Sequence, residues 1–85
     1  MTAKTKVVKL PVTTRALVQR LNRRLHDDEL VLRKTRSRRA WIDLGDFYLV
    51  NWRINGVVRY RVDLEELGRE VGVLANWERW DDSSQ

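Results

Sequence analysis

Cysteine is absent from the 85-residue chain, histidine and proline occur once each, and the four glycines stand singly. Each shortage removes a class of explanation. Without cysteine no disulfide staples the fold, which fits a reducing compartment, and no CxxC metal or redox motif exists. Isolated glycines exclude the P-loop and GxGxxG phosphate cradles, and a single histidine excludes HExxH. No apolar run approaches the roughly 20 residues needed to cross a bilayer. Lys4, Lys6 and Lys9 interrupt the N-terminal stretch where a secretion signal would carry its apolar core. The expectation is a cytoplasmic protein with no membrane partner.

What remains is globular in composition, 42% hydrophobic and 34% charged, and long enough for one domain with one small core. Such a core is a candidate for completion by a partner or a second copy. Charge is its most uneven property. Arg33-Lys34-Thr35-Arg36-Ser37-Arg38-Arg39 holds five positive charges in seven residues. Residues 1–39 carry twelve Lys and Arg against three acids, whereas residues 40–85 carry five against nine. The net charge of +5 therefore hides a dipolar chain, a property that bears on association and not on fold.

Residues 1–12 read as a basic N-terminal arm or short strand closed by Pro11. The first helix is expected at 14–26, capped by Thr13 or Thr14. Leu17, Val18, Leu21 and Leu25 recur at three- and four-residue spacings and form one apolar stripe. Arg15, Arg20, Arg23 and Arg24 occupy the flanks and the opposite side. Leu30–Lys34 is the first strand. Ala40–Leu44 reads as the opposite edge of a hairpin, joined to it by the basic segment. Gly45-Asp46 is a turn or bulge, so residues 40–54 are either two strands or one long bent strand. Asn55-Gly56, between Phe47–Ile54 and Val57–Val62, is a strong signal for a two-residue type I′ hairpin. Alternation puts Tyr48, Val50, Trp52 and Ile54 on the apolar face. Asp63 and Glu66 resemble a capping box, Val62 and Leu67 a hydrophobic staple, and Gly72 a C-cap, which sets a helix at 64–71. The expected fold is α+β: a three-stranded antiparallel sheet packed on one face by two helices, in the order helix-strand-strand-strand-helix. Its domain spans 13–76, and 77–85 is an acidic tail carrying Trp77 and Trp80.

Catalysis has no constellation behind it. His26 stands beside Asp27, Asp28 and Glu29, a surface group at a helix end before it is a metal ligand. Asp43 and Asp46 bracket a turn, the ordinary place for aspartate. No metal, cofactor or enzymatic activity is expected.

Binding a polyanion fits better. Thirteen of seventeen basic residues are arginine, whose planar donor fork suits phosphate. The expected footprint is Arg15, Arg20, Arg23 and Arg24 on the helix, with Arg33, Lys34, Arg36, Arg38 and Arg39 in the inter-strand segment. Thr35 and Ser37 offer neutral hydrogen bonds there. Trp41 follows directly and is a candidate for base stacking, in competition with a core position. Trp77 and Trp80, three apart among Glu78, Asp81 and Asp82, suit a lid over the core or a protein contact. Nucleic acid is the first-choice partner, DNA ahead of RNA. The alternative is a protein-interaction, inhibitor or adaptor module whose basic surface meets an acidic protein, and the charge asymmetry also suits a homodimer.

The helix–three strands–helix order resembles the double-stranded RNA-binding domain over residues 13–75. That resemblance implies duplex contacts from the first helix, from Arg33–Arg39 and from a lysine-rich start to the second helix. Here Asp63, Glu65 and Glu66 stand where that family has lysines, which argues against its binding mode. A second resemblance, to small proteins of bacterial plasmids and genomic islands, rests on residues 16–25, on Tyr48-Leu49-Val50 and on residues 62–74. It implies a mobile-element accessory protein and assigns no residue a role.

Overall fold

The computed structural model describes residues 9–82. Residues 1–8 of the arm or short strand expected at 1–12, and the last three residues, lie outside them. In chain order the elements are β1 (Leu10–Thr13), α1 (Thr14–Leu25), a 3-10 turn (His26–Asp28), β2 (Leu30–Lys34), α2 (Arg38–Leu44), β3 (Phe47–Asn51), β4 (Gly56–Arg59), α3 (Leu64–Glu70) and β5 (Glu78–Asp81). Strands β2, β3 and β4 form an antiparallel sheet in that order, and β1 pairs with β5 in a separate parallel ribbon. The α+β fold is as expected, with α1 and α3 packed against the three-stranded sheet.

Both long-range helices begin as their caps dictate. Thr13 Oγ1 accepts from the Ala16 N–H at 3.1 Å. This frees Thr14, which is buried, for another contact. Asp63 Oδ1 accepts from the N–H groups of Glu65 and Glu66 at 2.9 and 3.2 Å. The leucine stripe of α1 supplies Leu17, Leu21 and Leu25 to a core that also takes Leu32, Phe47, Leu49, Leu64, Leu67 and Leu74. Each such side chain contributes about 1.5–3 kcal/mol on full burial. Gly68 lets α3 approach α1: a Cβ there would sit 3.0 Å from Leu74 Cβ and 3.2 Å from Leu17 Cδ1.

The sheet is inverted relative to the expected parity. Leu32 pairs with Leu49 and Lys34 with Phe47, so β3 turns Phe47 and Leu49 to the helices. Tyr48 and Val50 lie on the opposite face, with Val31 and Arg33 as cross-strand partners. The hairpin at Asn55-Gly56 exists, but its loop has four residues, 52–55, because Asn51 pairs with Gly56. Asn51 Oδ1 accepts from Arg53 N–H and Ile54 N–H at 3.0 and 3.3 Å, a local side-chain turn that ends β3 early. Trp52 and Ile54, expected in the core, are consequently 46% and 71% exposed. A register shift after Leu49 leaves Val58 unpaired between the Arg59 and Val57 pairings.

Residues 40–44 are helical, not a strand. Ser37 Oγ caps α2 by accepting from Ala40 N–H at 3.1 Å, a signal hidden inside the basic run. No residue of α2 is buried. Its last turn is pinned by Arg61, which donates N–H to Leu44 O at 2.7 Å and a guanidinium N–H to Ile42 O at 2.6 Å. Arg61 takes a positive φ of 54° for this, and Gly45 must lack a Cβ, which would fall 2.9 Å from Arg61 Cα.

The described parts of the segments read as arm and acidic tail, β1 and residues 77–82, pack against the body. Val12, on β1, belongs to the core. Glu65 Oε2 accepts from Trp80 N–H at 2.9 Å, and Arg69 donates to the carbonyls of Ala75 and Glu78 at 3.1 and 2.9 Å. The Glu78 carboxylate accepts from Arg20 at 2.9 Å and from Ala75 N–H at 3.0 Å. The Arg20 guanidinium, with the Ala75 N–H, holds the Glu78 carboxyl below its ordinary range.

Two outcomes follow from this packing. Leu21→Ala should cost about 2–5 kcal/mol in urea denaturation, since the site is closed on all sides. Glu78 stabilises the fold while ionised; that contribution is complete above the usual glutamate pKa and is lost as pH falls through the lowered folded value. The thermal midpoint should therefore drop in this acidic window, and Glu78→Gln should flatten the drop.

Candidate nucleic-acid interface

Six of the thirteen arginines are engaged within the fold, and seven are not. Arg20 bonds Glu78, Arg24 bonds Asp28 at 3.3 Å, and Arg53 bonds Glu29 at 2.8 Å. Arg59 lies between Glu66 and Glu70, and Arg69 bonds Glu65. Arg61 holds α2. By contrast Arg15, Arg23, Arg33, Arg36, Arg38, Arg39 and Arg79 make no ion pair or side-chain hydrogen bond among the described residues. Of the expected footprint, then, Arg20 and Arg24 are occupied in holding the molecule together. Arg15, Arg23 and the arginines of the 33–39 segment remain available to a ligand.

That segment is not a loop. Arg33 and Lys34 belong to β2, residues 35–37 form a short link, and Arg38 and Arg39 open α2. Three depressions run along it and share walls. One of about 400 Å³ is lined by Asn22, His26, Leu30, Val31, Arg33 and Trp52. The next, about 620 Å³, takes over Val31 and Arg33 and adds Arg36, Ala40, Leu44 and Tyr48 among others. The last, about 510 Å³, shares Thr35, Arg36 and Ser37 with it and ends at Arg38, Trp41 and Ile42. Beside Lys34 a smaller hollow reaches Arg15, Val18 and Gln19 on α1. These neighbouring depressions together make up the β2 groove, whose walls mix arginines with the apolar side chains of Val31, Ala40, Leu44 and Ile42.

Local contacts hold the groove in shape. Asn22 faces the free edge of β2, where Oδ1 accepts from Leu32 N–H at 2.7 Å and Nδ2 donates to Leu32 O at 3.4 Å. Its amide thus stands in for a neighbouring strand at that residue. Trp41 donates its indole N–H to Asp46 Oδ1 at 2.6 Å, which orients a ring that is 53% exposed. Trp52 packs against His26 with ring centroids 5.7 Å apart. Glu29 and Asp28 are bound to arginines as described, so His26 stands in an aromatic contact and not in a ligand set. Among the described residues, no three His, Asp or Glu side chains gather as a metal site would require.

Several expected roles are reassigned. Ser37 is the cap of α2, and the Thr35 hydroxyl is buried with no hydrogen-bond partner among the described residues, so neither is offered outward to phosphate. Trp80, partly buried, packs against the core and donates its indole N–H to Thr14 Oγ1 at 2.9 Å, the lid position that was one of its two expected roles. Trp77 is exposed. Tyr48 and Trp52 line the groove but were read as core; only the turn-forming Asn51 signalled otherwise, by ending β3 before Trp52.

No protein family, no curated protein and no solved structure matches this chain. Relatives therefore supply no support for a link to duplex-RNA-binding or mobile-element proteins. No helix among the described residues is long and apolar enough to cross a membrane.

The edge clamp yields a direct test. Asn22→Ala leaves both polar groups of Leu32 without their partner and should destabilise the fold by about 1–3 kcal/mol, measured by chemical denaturation.

Proposed function

We propose that this chain is a small non-enzymatic module that binds nucleic acid through the β2 groove, contacting phosphates with the arginines that the fold leaves unpaired. One observation carries the reading. The arginines divide into a set held by internal acids or, for Arg61, by a backbone carbonyl, and a set with no partner among the described residues, and four of the second set lie within residues 33–39. Clustered unpaired positive charge costs self-repulsion, and a polyanion relieves it. Arg38 and Arg39 even occupy the first turn of α2, the end where positive charge is least favourable for the helix dipole. Arg15 adds one more unpaired arginine beside Lys34, in a separate hollow lined by α1, Lys34 and Phe47.

A protein partner is the second reading, and a separate feature favours it. Leu10 and Trp77 are adjacent on the β1–β5 ribbon, with Leu10 N–H donating to Trp77 O at 2.7 Å, and both are exposed by about 60%. Exposed aromatic and aliphatic side chains of this kind anchor protein contacts. The exposed Ile54, Val57, Val58 and Tyr60 along the β4 edge suit a second copy of this chain in the same way.

Arg36→Glu, Arg38→Glu and Arg39→Glu together should abolish binding to DNA and RNA oligonucleotides at moderate salt. Binding by the unaltered protein should weaken with salt, with a log–log slope of about −0.7 to −0.9 per phosphate neutralised. Unchanged affinity in the triple variant would exclude this footprint. Loss of partner capture on Trp77→Ala, with no nucleic-acid binding in any arm, would favour the protein reading.

A further inference from the structure

We infer that the polymer lies in the β2 groove as a single strand, with unpaired bases stacked on Trp52, Tyr48 and Trp41; this rests on the nucleic-acid reading above and specifies its ligand. The groove alternates two kinds of surface. Trp52 lines one end, Tyr48 the middle and Trp41 the far end; Arg33 and Arg36 line the shared walls between them, and Arg38 lies beside Trp41. A duplex presents sugar and phosphate outward and hides its base faces, so it would use the arginines and leave the rings in contact with polar backbone. A single strand uses both, since every base has a face that an aromatic ring can cover.

Three further features agree with a stacked strand. The rings are held before any ligand arrives, Trp41 by its 2.6 Å hydrogen bond to Asp46 and Trp52 by His26, so little freedom is lost on binding. The Asp46 carboxylate at the edge of the Trp41 ring repels phosphate and leaves the ring face for an uncharged base. It also assigns direction across the groove: the backbone follows Arg33, Arg36 and Arg38, and the bases turn towards Tyr48, Trp41 and Ile42. Finally, β2 spans about 17 Å at ~3.3 Å per residue, room for a short run of nucleotides and too little for a long duplex contact. With stacking in place of base-edge hydrogen bonds, recognition tolerates any sequence.

Equilibrium titration of labelled DNA and RNA oligonucleotides, each as single strand and as duplex of equal length, tests this at two salt concentrations. Single strands of at least one sugar type should bind about 5-fold or more tightly than duplex. Trp41→Ala and Trp52→Ala should each weaken single-strand binding by about 5-fold or more. Trp41→Phe and Trp52→Phe keep a stacking ring and should retain most of the affinity, with thermal melts confirming that all four variants fold. Duplex binding equal to or tighter than single-strand binding, or alanine variants that bind like the parent, would overturn the inference while salt-sensitive binding upheld the nucleic-acid reading. Failure of every polymer to bind would overturn both.

Discussion

A chain this short packs one face of one small sheet under its helices, and the leucine stripe of α1 decides which. Leu17, Leu21 and Leu25 meet Leu32, Phe47 and Leu49, and with period-2 alternation that choice places Val31, Arg33, Tyr48 and Val50 on the other side. Everything proposed about the surface depends on this parity. Slipping β3 by one residue would bring Tyr48 and Val50 under the helices and turn Phe47 and Leu49 outward. The Asn22 amide, bonded to both backbone groups of Leu32, holds β2 to α1 in the observed register.

The second organising feature is how charge is distributed among contacts. Acids of the C-terminal half are concentrated where they hold arginines in place: Glu65 on Arg69, Glu66 and Glu70 on Arg59, and Glu78 on Arg20. These pairs are largely at the surface, so each one adds little stability alone. Their effect is positional: Glu78–Arg20 ties β5 to α1, and Arg59 with Glu66 and Glu70 ties β4 to α3. Among the described residues, Arg33, Arg36, Arg38 and Arg39 receive no such acid. The dipolar character of the sequence thus becomes a molecule with a neutralised side and an open basic groove.

Much of the fold was legible. Thr13, Asp63 and Gly72 act locally, within three or four residues, and the ends they mark agree with the structure to within about one residue. The leucine spacing of α1 and the α+β order were legible for the same reason. The site was half legible: the unpaired arginines were visible as a run, but not which of their companions would be neutralised. Arg20 and Glu78 are 58 residues apart, and no local pattern links them. Residues 40–44 misled because Ala-Trp-Ile-Asp-Leu suits a strand as well as a one-sided helix, and the Ser37 cap was masked by flanking arginines. Trp52 misled because alternation says which residues share a face and not where the strand stops.

By itself, then, the sequence determined what short-range chemistry can determine: helix starts and stops, a hairpin at Asn55-Gly56, and a concentration of arginine ahead of residue 40. Only the tertiary structure decided which sheet face the helices cover, which arginines meet an acid, and that Trp52, Tyr48 and Trp41 line neighbouring depressions while Trp80 packs against the core. The physical reason is the same in each case. Caps and periodicity are energies within a few residues, whereas face, ion-pair partner and groove depend on contacts between segments that meet only after the core has formed.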